Sequence, residues 1–85
     1  MKDDRQQGGT VEARLFAGLE MKTRDGRAER RVPLAEAPTV AALCESLGLP
    51  SGTVGLVLVN GVHGDASTVL RDCDEVSIFA PVGGG

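Results

Sequence analysis

The residues with the most distinctive chemistry are the last five, Pro81-Val82-Gly83-Gly84-Gly85. A chain ending on Gly85 presents its α-carboxylate with no side chain nearby to hinder a reaction there. That carboxyl has a pKa of about 3.3–3.7, so it is ionised at neutral pH and able to attack a phosphate. Glycine lacks a Cβ, so Gly83, Gly84 and Gly85 suit a channel too narrow for other residues. Pro81 has no N–H and cannot continue a strand ladder, which marks it as the end of the body. Five residues reach roughly 17 Å, at about 3.3–3.6 Å each. Such a wire could carry its carboxylate into a partner's active site while the body stays outside. A frayed terminus is the plainer alternative. Glycine makes up 12 of 85 residues. At that share three terminal glycines arise by chance about 0.3% of the time, so the run calls for a reason.

The other reactive side chains give weaker signals. Cys44 falls on an apolar face and reads as a small core residue. Cys73 reads as an exposed thiol in a turn. His63 is the sole histidine, with no second ligand near it in sequence, so no metal site is expected. Asp72, Asp74 and Glu75 lack the glycine and alternation of a calcium loop. They read as a solvated turn that could also meet a basic partner.

Composition narrows the function classes. Eighty-five residues make one small domain with a thin core and no room for an enclosed active site. The net charge of −3 and the lack of a basic cluster argue against nucleic acid. No apolar run approaches the roughly 20 residues that span a membrane. The first ten residues have no apolar segment and do not form a secretory signal. Nothing indicates secretion, so two free cytosolic thiols and a cytoplasmic protein are expected.

The elements that must hold the tail follow from periodicity. Val11-Glu12-Ala13-Arg14-Leu15-Phe16-Ala17 alternates as a half-buried strand, with Phe16 exceptional on the polar side. Asp25-Gly26 marks a turn, and Glu29 to Leu34 reads as the return strand, at an edge because of Pro33. Val40, Leu43, Cys44 and Leu47 share one helical face. Thr39 is placed to cap that helix, with Gly48 and Pro50 to end it. Val54 to Val59 is continuously apolar before Asn60-Gly61, so a strand with apolar neighbours on both faces is expected. Val62 to Asp65 is a short strand, Thr68-Val69-Leu70 another or a 3₁₀ turn, and Glu75 to Ala80 the last strand. The whole is an α+β two-layer domain, one helix on a four- to five-stranded mixed sheet. First and last strands would lie side by side in the middle, as in the ubiquitin-like β-grasp. Residues 1–10 are expected to form a disordered arm, 11–81 the β-grasp domain and 82–85 a flexible glycine tail.

Phe16 and Phe79 both alternate away from the helix side, on neighbouring strands, and Val57 or Val59 could join them. An apolar patch on an otherwise polar sheet face marks an interface, unless the arm or the loop near Met21 covers it.

Several stretches together resemble the small subunit of molybdopterin synthase and the sulfur carrier of thiamine biosynthesis. They are Leu15-Phe16-Ala17, Thr39-Val40-Ala41-Ala42-Leu43, Val57-Leu58-Val59-Asn60-Gly61, Leu70 to Val76, and Phe79-Ala80-Pro81-Val82-Gly83-Gly84-Gly85. The resemblance covers roughly residues 11–85. It implies that an E1-like enzyme uses ATP to adenylate the Gly85 carboxylate. A persulfide-derived sulfur then displaces AMP, leaving a thiocarboxylate that donates sulfur in cofactor synthesis. Gly84 and Gly85 would be the reacting end, and Phe16, Phe79, Val57, Val59, Pro81, Val82 and Gly83 the partner-binding residues. The implied partners are the E1-like adenylyltransferase and sulfurtransferase, then a synthase large subunit or a thiazole synthase. The protein itself would be a monomeric co-substrate, holding no cofactor. Phe79 to Val82 leans toward molybdopterin, the triple glycine toward thiamine. A ubiquitin-like modifier joined to target lysines would use the same activation, and a plain interaction domain would not use the tail. Two positions depart from the family pattern: Cys73 stands where glycine is usual, and the loop from Leu19 to Ala28 lacks a longer helical insert.

Overall fold

The computed structural model of the chain describes residues 9–23, 25–50 and 52–81. Five strands and one helix run in the order β1 (Thr10–Phe16), β2 (Glu29–Pro33), α1 (Val40–Leu47), β3 (Leu56–Val59), β4 (Val62–Gly64) and β5 (Glu75–Phe79). Short 3₁₀ turns at Leu19–Lys22 and Leu34–Glu36 sit in the connections. The sheet order is β2-β1-β5-β3-β4. β1 and β5 pair in parallel at its centre, and every other pair is antiparallel. This is the one-helix, mixed-sheet β-grasp that the sequence predicts.

Alternation along β1 decides the two faces. Val11, Ala13 and Leu15 are buried, while Arg14 and Phe16 are exposed. The same register buries Val76 and Ile78 of β5 and Val57 of β3. Val40, Leu43 and Leu47 of α1 close this side. Burial of each contributes roughly 1.5–3 kcal/mol. Leu19 is 1% exposed and joins the same core from the β1–β2 connection. Periodicity predicts no element in that connection, because one leucine has no pattern to announce it. On the sheet's other face Arg14 and Phe16 are exposed and Leu56, Leu58, Ser77 and Phe79 partly so, and Met21 is 79% exposed.

The helix ends are satisfied by identifiable groups. Thr39 Oγ1 accepts from the Ala42 N–H at 3.2 Å. The Val40 and Ala41 N–H groups donate to the carbonyls of Thr68 and Ala66, tying the helix start to the chain that leads into β5. At the other end Gly48 takes φ 80° and donates to Glu45 O, while Leu49 N donates to Cys44 O. Asn60 and Gly61, at φ 53° and 83°, make the tight β3–β4 hairpin.

The expected boundaries move by small amounts. β1 starts at Thr10 and ends at Phe16, where Ala17 turns to φ 61°. Gly9 and Thr10, assigned from sequence to the arm, belong to the body: Gly9 O accepts from Leu34 N at 3.0 Å. Residues 1–8 of the arm and 82–85 of the tail lie outside the described residues. Val54 and Gly55 precede β3 rather than forming part of it. Thr68-Val69-Leu70 makes only an isolated bridge, Val69 to Thr39. Pro33 does fall on the edge strand β2.

The turn into β5 is built from carboxylates. Asp72 Oδ1 accepts from Thr10 N at 2.9 Å, and Asp74 Oδ2 from Arg71 N at 2.8 Å. Asp74 Oδ1 accepts from Asn60 Nδ2 at 2.8 Å, and Asn60 Oδ1 accepts from Glu75 N at 2.9 Å. The turn is thus held by side-chain bonds to both neighbouring strands. Cys73 at its apex has φ 71°, which L side chains rarely adopt. Cys73→Gly should therefore raise stability by about 0.5–1 kcal/mol, the relief of left-handed strain less glycine's extra chain entropy. The urea midpoint reads this, and an unchanged or lower midpoint would contradict it. Asp74→Ala removes two of the bonds and should cost about 1–2 kcal/mol in the same assay.

Candidate functional site: the open sheet face and the tail root

On the open face, the parallel register sets Phe16 beside Phe79. Their rings stack with centroids 4.6 Å apart and an interplanar angle of 13°. Leu56 is the next neighbour across the sheet, opposite Phe79. One row further along lie Glu29, Arg14, Ser77, Leu58 and His63, paired in sequence across all five strands. The third row holds Arg31, Glu12 and Glu75, where Arg31 and Glu12 form an exposed ion pair at 2.9 Å. The face grades from charged at the start of β1 and β5 to apolar at their ends. The apolar end is where the chain leaves the sheet toward Val82.

Phe16 and Phe79 therefore lie where the sequence put them, on one accessible face, with Phe16 39% exposed. Val57 and Val59 do not join them. They pair with Ile78 and Val76 and face the helix side, Val57 in the core and Val59 packed against it. The expectation of apolar neighbours on both sides of β3 gave no way to choose a face. The fixed period of two then leaves the open side to Leu56 and Leu58. Those two leucines are the open-face residues that sequence reading missed. Counting back from the Phe79–Leu56 pairing would have found them, but that register is set in three dimensions.

Beyond β5, Ala80 is half-buried against the core and Pro81 is exposed. The Gly55 N–H donates to Phe79 O at 2.7 Å, one residue outside β3. Two shallow grooves flank this root. One is apolar, formed by Ala17, Gly55, Leu56, Phe79 and Ala80 with Pro81. The other runs between the loops that carry Gly18 and Lys22 on one side and Gly52 and Thr53 on the other. Of the predicted tail residues only Pro81 is described; Val82, Gly83, Gly84 and Gly85 lie outside the described residues.

The remaining candidates separate cleanly. Cys44 is half-buried and packs against the core, and that burial pushes its thiol pKa up, away from nucleophilic use. Cys73 is exposed at the far end of β5 from the tail root, and both thiols are free. His63 is exposed on β4. Among the described residues no three His, Cys, Asp or Glu side chains gather to hold a metal ion. No helix among them is long and apolar enough to cross a membrane. Asp72 and Asp74 have a structural account in the turn.

The same arrangement of strands and helix recurs in known proteins. The solution structure of the Haloferax volcanii HVO 2177 protein superposes with a TM-score of 0.71 at 28% identity, over 92% of this chain and 88% of that one. The crystal structure of SAMP1 from Haloferax volcanii gives 0.67 at 30% identity, over 91% and 100%. A putative molybdopterin converting factor, subunit 1, from Pyrococcus furiosus gives 0.67 at 25% identity, over 87% and 99%. No curated protein sequence matches the chain. The ThiS family model matches residues 14–85, a span that includes Phe16, the hairpin, β5 and the glycine tail, and on that match the chain belongs to the ThiS family, among the ubiquitin-like sulfur carriers its sequence resembles.

Proposed function

We propose that the protein is a sulfur carrier that reacts through the carboxylate of Gly85. The observation that carries this is the position of the apolar end of the sheet. Phe16, Phe79 and Leu56 sit where the sheet ends next to Ala80 and Pro81, so a partner that grips them holds the body by the end from which the glycine tail follows in sequence. In the first step a Gly85 carboxylate oxygen attacks the α-phosphate of ATP in an E1-like enzyme. Pyrophosphate leaves, and the product is a mixed acyl-phosphate anhydride with AMP. In the second step the outer sulfur of a persulfide attacks the acyl carbon and AMP leaves, giving an acyl disulfide. A second thiol then attacks the other sulfur, forms a disulfide with it and releases the thiocarboxylate, so that C–S replaces C–O. A carboxylate is a poor acyl group until activated, which is why the carrier depends on an enzyme. The protein is then a co-substrate rather than a catalyst, and ATP is consumed by its partner. We take it to act as a monomer in the cytoplasm.

For the acceptor we favour a molybdopterin precursor on a synthase large subunit. Phe79-Ala80-Pro81-Val82 supports this, as does the likeness to a protein titled a molybdopterin converting factor. The triple glycine and the family model support thiazole synthase as the alternative acceptor. The likeness to SAMP1, a small archaeal modifier protein, supports conjugation to target proteins as a second reading. Intact mass after expression separates the two classes: a carrier gains about 16 Da as oxygen gives way to sulfur, and a modifier gives larger adducts.

ATP–pyrophosphate exchange with the cognate adenylating enzyme tests the tail. Deleting Gly85 withdraws the carboxylate by about 3.5 Å, where reacting atoms must approach within about 3–3.5 Å. Exchange should be abolished with the fold intact, and Gly84→Ala should impair it more than it impairs stability. Full exchange by the deletion would leave an interaction domain as the better account. The patch has its own test. Phe79→Asp should weaken enzyme binding by about 30-fold or more, as expected for a central aromatic anchor. The unfolding midpoint should fall only modestly, since Phe79 faces away from the core. Undiminished binding would remove the patch from the docking surface.

A further inference from the structure

We infer that Gly55 is a positioning residue for the reaction of the C-terminal carboxylate, because its missing side chain fixes where the tail leaves the body. The inference rests on the carrier function proposed above. The chain entering β3 passes so close to the chain leaving β5 that no Cβ fits between them. On Gly55 that atom would lie 2.5 Å from Pro81 Cα, 2.8 Å from Pro81 N and 3.0 Å from the Ala80 carbonyl carbon. All three are backbone atoms, which cannot rotate aside as a side chain can. The φ of Gly55 lies outside the left-handed region, so space rather than backbone conformation demands glycine here.

The surroundings make the contact a guide. The Gly55 N–H holds Phe79 O at 2.7 Å, one residue past the end of β3. Ala80 is anchored in the body, half-buried against the core. Across the root stands Ala17, turned to φ 61°, followed by Gly18 at φ 81°. The root thus runs between two loops and ends on Pro81, whose ring fixes its φ. Docking through Phe16, Phe79 and Leu56 fixes the body on the enzyme; Gly55 fixes the starting point of the tail relative to the body. A methyl group at residue 55 must push Pro81 N and Cα away, and a misplacement of about 1 Å can cost on the order of a hundredfold in rate. The three atoms nearest the added methyl group belong to Pro81 and Ala80, not to the rings of Phe16 and Phe79 or to Leu56.

The test compares Gly55→Ala with Gly61→Ala in ATP–pyrophosphate exchange with the cognate adenylating enzyme. Gly61 has φ 83° with open space around its missing Cβ, so its replacement strains a hairpin turn without touching the tail root. Gly55→Ala is expected to lower kcat about tenfold or more while KM for the carrier stays within about threefold. Gly61→Ala should leave both within about twofold. A wild-type kcat in Gly55→Ala, or a rise in KM alone, would overturn the assignment. Should Gly55→Ala fail to fold, Pro81→Gly loosens the same root from the other strand at an exposed position. It is then expected to lower kcat in the same way, and an unchanged kcat there would equally overturn it. Should the wild-type protein itself drive no exchange, the carrier function fails, and the contact is still judged without enzyme. The amide resonances of Val82 and Gly83 should then shift in Gly55→Ala and stay in place in Gly61→Ala. Unmoved resonances in Gly55→Ala would remove the guide.

Discussion

The parallel pairing of β1 with β5 is the interaction on which the rest depends. It joins residues about sixty positions apart, from Glu12 with Glu75 to Phe16 with Phe79. On one side it lays Ala13, Leu15, Val76 and Ile78 under the helix; on the other it stacks two aromatic rings. Because the strands are parallel, the end of β5 emerges beside the end of β1. The stacked rings and the tail root are therefore neighbours by construction. An antiparallel centre would have put Phe79 at the opposite end of β1 from Phe16.

That pairing is held at its start by polar groups that sequence reading treated as solvent-facing. Asp72 binds the Thr10 N–H, and the Cys73 N–H donates to Thr10 O at 2.7 Å. Asp74 and Asn60 link the same turn to β3, with Asn60 N donating to Glu75 O at 2.7 Å. Both neighbours of β5 are thus pinned at one end of the strand. At the other end lie the apolar side chains and the Gly55 bond to Phe79 O. Polar registration thus sits at one end of the strand and apolar contact at the other.

Much of this was legible in the sequence, and the exceptions share a cause. The helix from Val40 to Leu47 could be read with both its caps, because Thr39, Gly48 and the i, i+3, i+4, i+7 spacing are all local signals. The Asn60-Gly61 hairpin and the edge position of Pro33 are likewise written in single residues. Cys73 could be flagged against the family pattern, and its φ of 71° supplies the physical reason glycine is usual there. The face of β3 could not be read, because four consecutive apolar residues look the same from either side. Only pairing with β5 turns Val57 inward and Leu56 outward. Gly55 was equally silent: its meaning lies in a backbone far along the chain, at Pro81.

The central pair also governs how the molecule bears load. The end of β5 and the start of β1 lie at opposite ends of the same parallel pair. Tension applied between those two points runs along the strands and loads their hydrogen bonds together, in shear. A hairpin pulled from its open end would instead release them one at a time. β5 is flanked by β3 as well as β1, so the strain spreads to a second ladder. A pull on the end of β5 against the start of β1 is thus shared between two ladders rather than peeling the strand away.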